Sequence, residues 1–464
     1  MLRLTAKATQ FGRGTFTSWL IESAGTVPLQ RRKDSVNGET DNSEVMKKLL
    51  EALDIGDAVC LFPEGMSRYH PTIAPLKTGV ARIVSDALSR NRDNPNFEVS
   101  VQTCSITYMH RQHFRSDVLV TFHEPMKFSA KLLAPVDFSN IRELTARLHK
   151  QISSGTLDAP SWRLIRDAKL AARMYAPLGT EMTLGDYVRI VRTFLEALKM
   201  AESRIDQEPS GSGDEGSNLG EEALAEDKKI VQLGADLKAY QDKLSRYGLK
   251  DDRIRRPLHR RTMAYRALVR LTWSIVLITL SIPGLLLWMP IFITTVIAVR
   301  EFKRTGPVWD TYDEIAQYKL TYGFISGLCV YFGTVALTFP VAPLTVVLVP
   351  LAMWMSLRWF EDATAAFRAC TALIRLLWVG PTELRNMQET RGELYKRVMD
   401  LAVHTLGLPE APEKHFGETG GKEKGRVRGR WDRSAKYFSV RRRRKRDWNE
   451  TLRLYDKVDY PEDY

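Results

Sequence analysis

The sequence predicts an α/β domain, followed by an α-helical membrane domain and a disordered basic tail. Three observations predict it. Short apolar runs alternate with amphipathic helical patterns through the first part of the chain. Two uncharged blocks follow, 29 residues from Leu271 to Val299 and 38 from Leu320 to Leu357. The net charge of +13 is concentrated near the C-terminus, where residues 421–446 hold 13 Lys/Arg against Glu423 and Asp432. The remainder is nearly neutral, which excludes a nucleic-acid footprint spread over the body. The four cysteines (Cys60, Cys104, Cys329, Cys370) form no Cys-x-x-Cys pair. They read as free, buried thiols in a reducing compartment, with no metal site.

Taken in order, Thr26 to Gln30 reads as a strand, and Arg31-Arg32-Lys33 follow it directly. Ser35 to Ser43 is polar and reads as a mobile loop. Glu44 to Asp54 places Val45, Leu49 and Leu53 at four-residue spacing, an amphipathic helix with Gly56 as its stop. Asp57 to Phe62 is apolar and short enough for a buried strand, so helix and strand alternate as in a parallel sheet. Gly79 to Leu88 is a second helix. Phe97 to Tyr108 and Asp117 to Phe122 are further strands, joined by a loop with His110, Arg111, His113 and Arg115. Asn140 with Glu143 three residues on forms a capping signature. Trp162 to Ala176 and Leu184 to Met200 complete the α-rich end of a domain spanning 1–200. An acidic disordered linker, 201–229, holds Asp206 to Asp227 with eight acids and no base. A helical connector is expected over 230–270, membrane helices or hairpins over 271–380, a helical segment over 381–406 and the basic tail over 407–464.

The strand ending at Leu61-Phe62-Pro63-Glu64-Gly65-Met66-Ser67-Arg68 organises the rest. Pro63 removes a ladder donor and Gly65 permits positive φ, so the strand stops there. Glu64, Ser67 and Arg68 then project from the C-terminal edge of a sheet, where open α/β folds bind ligands. Phe-Pro-Glu-Gly alone reads equally well as a surface turn. Arg31 and Arg32 end a neighbouring strand and suit a phosphate, because guanidinium groups donate bidentately to its oxygens. Lys77 opens a helix against the dipole. Either a bound anion or a pair with Glu64 offsets that conflict, and the residues alone leave both open.

Three segments in this order carry a resemblance. Gly25 to Arg31 resembles the second motif of the glycerol-phosphate and lysophosphatidate acyltransferase superfamily, with Pro28 where that motif has Phe. Phe62-Pro63-Glu64-Gly65 is similar to its third motif. Val101 to Tyr108 stands where its fourth, hydrophobic motif belongs. The longer match, Phe62 to Ala81 with Phe114-Arg115-Ser116 and Glu124-Pro125, is similar to fungal-type membrane glycerol-3-phosphate/dihydroxyacetone-phosphate acyltransferases. The resemblance implies an acyltransferase domain. It implies a phosphate site at Arg31, Arg32 and Lys77, and an acceptor-site motif at Phe62, Pro63, Glu64, Gly65 and Ser67. The superfamily's first motif, His-x-x-x-x-Asp, supplies its general base. None of the eight His has Asp five residues on. The domain is therefore expected to be incomplete at its N-terminus, with the base upstream of Met1 and no catalytic residue in this chain.

Runs as long as the two uncharged blocks exceed the ~20 residues a bilayer crossing needs. Pro283-Gly284 and Pro290 interrupt the first, which predicts a re-entrant hairpin or a kinked span. Pro340-Val341-Ala342-Pro343 breaks the second into two. Basic residues flank both blocks at both ends, so hairpins with cytosolic ends fit the positive-inside rule. Ala363 to Val379 carries Arg368 and Arg375 and reads as an interfacial amphipathic helix. Arg441 to Arg446 suits anionic lipid headgroups.

The expected function is acyl transfer from acyl-coenzyme A, as co-substrate, to the sn-1 hydroxyl of glycerol 3-phosphate or dihydroxyacetone phosphate in phospholipid synthesis. No other cofactor is implied. A multi-pass protein of the endoplasmic reticulum membrane, with its catalytic domain cytosolic, fits the resemblance. Two alternatives stand beside it: a lysophosphatidate acyltransferase, and a catalytically dead lipid-binding or scaffold relative.

Overall fold

The computed structural model describes residues 2–8, 11–12, 14, 16–30, 42–65, 70–109, 118–129, 138–177, 180, 182–207, 218–249, 251–255, 259–305 and 312–419. They form two units. The first comprises Met1–Thr107 and Val120–Asp158, and the second Tyr108–Leu119 and Ala159–Tyr464.

The first unit is α/β. Its elements are β1 (Leu2–Lys7), α1 (Phe16–Ser23), β2 (Val27–Leu29), α2 (Ser43–Asp54), β3 (Ala58–Cys60), α3 (Gly79–Arg90), β4 (Glu98–Val101), β5 (Cys104–Tyr108), β6 (Val118–Phe122), β7 (Met126–Ser129) and α4 (Phe138–Ser153). β1 is central in a parallel sheet of order β2-β1-β3, with Thr5 opposite Val27 and Leu4 opposite Cys60. The sequence reading assigns no element to β1. Its alternation of Leu2, Leu4 and Ala6 with Arg3, Thr5 and Lys7 is the period of a strand. Leu49, Leu50, Ile83, Val84 and Leu88 from α2 and α3 pack with Ile141, Leu144 and Leu148 of α4 over Val27, Val99 and Phe128. These helices bury part of the sheet, while Leu2 and Leu4 are 56% and 43% exposed.

Two details differ from expectation. The strand expected over 97–108 breaks at Gln102-Thr103, because its halves pair with different partners, β4 with β7 and β5 with β6. Asn140 caps nothing, since α4 starts two residues earlier, at Phe138.

The second unit is helical, with α5 (Trp162–Tyr175), α6 (Leu184–Asp206), α7 (Asn218–Tyr247), α8 (Asp251–Arg255), α9 (Arg260–Thr305), α10 (Tyr312–Leu337), α11 (Ala342–Val379), α12 (Pro381–Asp400) and α13 (Pro412–Thr419). Helices α5 and α6 belong here rather than with the α/β unit, because their buried faces (Leu164, Leu170, Phe194, Leu195) complete a core with Leu237, Leu244 and Met387 of α7 and α12. A reciprocal capping box between Thr183 and Asp186 starts α6. The expected linker 201–229 is largely helix: α6 runs to Asp206 and α7 begins at Asn218, with Arg204 paired to Asp227 at 3.3 Å. Residues 208–217 lie outside the described residues. So do the 110–117 loop and the basic tail from 420, while α13 occupies the start of the segment expected to be disordered.

Among the described residues three helices are long and apolar enough to cross a membrane: α9, α10 and α11. α9 is one continuous helix of 46 residues through Pro283 and Pro290. No turn interrupts the block, so the expected re-entrant hairpin within it is not formed. The second block breaks at Phe339–Val341 as expected. α11 runs antiparallel to the first part of α9: Arg260 Nη2 donates to the Leu377 carbonyl (3.2 Å), Ser274 Oγ to that of Ala363 (3.0 Å) and Trp288 Nε1 to that of Met353 (2.9 Å). α10 lies along the last part, where Phe302 meets Tyr318 with ring centroids 4.5 Å apart. The expected interfacial helix 363–379 is the end of α11, its Ala363, Ala366, Cys370 and Leu373 buried at helical spacing. All four cysteines are free, but only Cys370 is buried, and Cys329 is exposed on α10.

Candidate acceptor edge of the parallel sheet

Because β2, β1 and β3 run parallel, their C-terminal ends share one edge. Gln30 leaves β2 there and Leu61-Phe62-Pro63 leaves β3, on either side of β1, with β2 ending opposite Lys7 and β3 opposite Leu4. The turn after β3 is closed by backbone bonds. Gly65 N–H donates to the Phe62 carbonyl at 3.0 Å, and Lys77 N–H to that of Pro63 at 2.9 Å. Gly65 sits at φ +70°, in the left-handed region that favours glycine. A Cβ there would fall on Lys77 Nζ and lie 2.7 Å from its Cε. The lysine side chain therefore covers the Glu64-Gly65 turn. The Phe62 ring is 67% exposed at the same edge.

The structure brings together Phe62, Pro63, Glu64, Gly65 and Lys77. Arg31, Arg32 and Ser67 lie outside the described residues, as does Arg68. Arg31 directly follows Gln30, whose backbone is held by a residue the sequence reading passes over. Asn42 Oδ1 accepts from Gln30 N–H and Asn42 Nδ2 donates to the Gln30 carbonyl, both at 3.0 Å. This clamp ties the end of β2 to the start of α2, on either side of residues 31–41. The available signal was an Asn just before a helix; it makes no side-chain cap bond and serves the strand end instead. Thr5 of β1 reaches the Cys60 carbonyl at 3.3 Å. At the other end of the sheet, Arg3 pairs with Asp57 at 3.0 Å, away from this edge.

His70 Nδ1 lies 2.8 Å from Thr72 Oγ1 within its own exposed loop. Ser105 and His123, 18 residues apart, meet at 2.7 Å (Oγ to Nε2), a contact no spacing rule would find. The Ser105 hydroxyl donates to the Ile152 carbonyl at 2.8 Å, so the imidazole does not activate it. The pair straps β5 to the end of α4, and Gly155 makes room, since a Cβ there would lie 2.6 Å from His123 Nε2. Burial, with Cys60 nearby, raises the Cys104 thiol pKa above its ordinary value.

Residues 1–107, which contain this edge, match the family model described as Acyltransferase. Residues 219–305, which run from α7 through α9, match the glycerol-3-phosphate acyltransferase 2 C-terminal domain. The chain resembles glycerol-3-phosphate acyltransferases. It is 28% identical over 261 residues to glycerol-3-phosphate O-acyltransferase 2 of Saccharomyces cerevisiae, covering 54% of this chain and 32% of the relative. With glycerol-3-phosphate O-acyltransferase 1 of the same yeast it shares 24% over 314 residues, 65% of this chain and 38% of the relative. An uncharacterized acyltransferase of Schizosaccharomyces pombe is 23% identical over 403 residues, 81% and 56% respectively. The matches thus span about a third to just over half of the length of these relatives. No solved structure matches.

Proposed function

We propose that this chain builds the acceptor side of an acyltransferase site, for transfer from acyl-coenzyme A to the sn-1 hydroxyl of glycerol 3-phosphate or dihydroxyacetone phosphate. One observation carries the reading. The segments that resemble the superfamily's second and third motifs leave the two parallel strands that flank β1, with Lys77 over the turn after β3. Arg31 is assigned the acceptor phosphate, with Arg32 and Lys77 adding charge. Glu64, Gly65 and Ser67 shape the acceptor pocket, and exposed Phe62 offers apolar surface to the acyl chain.

In the reaction the acceptor oxygen bonds to the thioester carbonyl carbon. The C–S bond breaks and coenzyme A leaves as the thiol, the hydroxyl proton passing through a general base. No residue of this sequence is assigned that base, because it holds no His-x-x-x-x-Asp. No metal or prosthetic group is invoked. The setting proposed is the endoplasmic reticulum membrane, with the α/β unit cytosolic, the antiparallel α9 and α11 in the bilayer with the start of one and the end of the other on the same side, and the basic tail on anionic headgroups. The product, a lysophospholipid, then enters the bilayer directly.

The test is a calorimetric titration of the membrane-embedded chain with glycerol 3-phosphate. Binding should weaken about 10–100-fold in Arg31→Ala, the loss of a charge-assisted hydrogen bond of ~1.5–3 kcal/mol. Acyl-coenzyme A binding should stay unchanged. Equal acceptor affinity in the variant overturns the assignment.

A further inference from the structure

We propose that the start of α9 carries a binding site for the phosphate monoester headgroup of a membrane glycerolipid. Tyr265, Arg266, Val269, Arg270 and Trp273 line an open cavity of about 290 Å³ on one side of the helix. Their spacing stacks the two arginines one turn apart and the three apolar side chains beside them. Met263, Ala267 and Ser274, about a quarter-turn round the helix, are buried, while Tyr265, Arg266, Val269 and Trp273 are exposed, so this groove faces outward. Among the described residues neither Arg266 nor Arg270 has an ion-pair partner.

The order along the axis is what identifies the ligand. Arg266 and Arg270 come first, Trp273 (55% exposed) next, and the uncharged run starts at Leu271. Aromatic rings of this kind sit at headgroup level, with their apolar body toward the chains. Two arginines at i and i+4, with Cβ atoms about 5–6 Å apart, can present up to four N–H donors to one anion. A monoester, which carries up to two charges and three terminal oxygens, satisfies both; a diester headgroup carries one charge and two. The groove extends roughly 12 Å along α9, from headgroup depth into the apolar zone, so the source is a lipid and not free phosphate. This inference rests on α9 entering the bilayer. It does not depend on the acyl-transfer reading, and neither experiment decides the other.

The experiment places the full chain in phosphatidylcholine nanodiscs containing brominated phosphatidate, and reads tryptophan quenching as the difference from a Trp273→Phe variant. Saturable quenching is expected, weakened about tenfold or more in Arg266→Gln/Arg270→Gln. It should be unaffected in Arg300→Gln/Arg304→Gln, which removes the same charge from the far end of α9. Arg266→Lys/Arg270→Lys keeps the charge and loses the fork, and should fall between; it also serves where the glutamine variant does not fold. Millimolar inorganic phosphate should not displace the lipid. Equal losses in the two glutamine variants, equal binding of brominated phosphatidylserine, or full binding by the lysine variant with displacement by free phosphate would each overturn the proposal. The arginines would then be simple interfacial anchors.

Discussion

Lys77 folds its side chain over Gly65 while its own backbone N–H donates to the Pro63 carbonyl at 2.9 Å. Two contacts thus close the loop between the third-motif turn and α3, and the glycine is what permits them. Gly65→Ala should cost about 1–2 kcal/mol of backbone strain at positive φ, and push the lysine off the turn. The expected readings are a lower melting temperature of the α/β unit and weaker glycerol 3-phosphate binding. An alanine variant with unchanged melting and binding would show that neither the φ nor the lysine position matters.

The sheet edge was legible because its signals are local. Pro63 and Gly65 end a strand whatever surrounds them, and the helices at Glu44 to Asp54 and Gly79 to Leu88 show their apolar spacing openly. β1 was not legible by the same means. Leu2, Leu4 and Ala6 alternate, but the run is short and becomes the central strand only once β2 and β3 pair to it. α9 posed the opposite problem. Its prolines read as breaks, yet a helix packed on α11 in an apolar setting continues through them. Asn42 and the Ser105–His123 contact depend on tertiary placement, and no spacing encodes them.

Asp167 gives the helical unit a pH-dependent stability. It is 2% exposed, and Oδ2 has no hydrogen-bond partner. Burial pushes its pKa up to about 7, against the opposing charges of Arg163, Arg166 and Lys238 and with help from Glu202. The folded form therefore holds a proton that the unfolded chain releases near pH 4. Stability should fall as pH rises from about 4 to about 7 and level off above, a loss of up to ~4 kcal/mol. Asp167→Asn should flatten that slope and raise the melting temperature at pH 8 but not at pH 4. A variant that melts with the parent's pH dependence contradicts this.

Arg391 and Asp251 form a buried bidentate pair, Nε to Oδ1 at 2.7 Å and Nη2 to Oδ2 at 3.0 Å, with the Tyr240 hydroxyl donating to Oδ1 at 2.8 Å. The three tie α12, α8 and α7 together. Arg391→Ala leaves the carboxylate buried and unpaired, and should cost about 3–5 kcal/mol. Arg391→Met with Asp251→Leu should recover most of that loss. Denaturant unfolding of the two variants checks the order; a single variant as stable as the double would refute it.

The continuity of α9 predicts its topology. A continuous helical run of 29 uncharged residues follows about 43 Å of helix axis, more than the ~30 Å hydrocarbon core, and contains no turn to bring it back. In a background lacking the four native cysteines, His259→Cys and Thr305→Cys should be labelled from opposite sides of the membrane. Labelling of both from one side would restore the re-entrant hairpin.

The central claim is that the end of β2 and the turn after β3 serve one phosphate. A double-mutant cycle on glycerol 3-phosphate affinity tests it most directly, using Arg31→Ala, Lys77→Ala and both together in the membrane-embedded chain. If the two cations hold the same anion, the losses are non-additive, with an interaction energy of about 0.5–3 kcal/mol. Strictly additive losses, or an Arg31→Ala variant that binds as well as the parent, would contradict the claim.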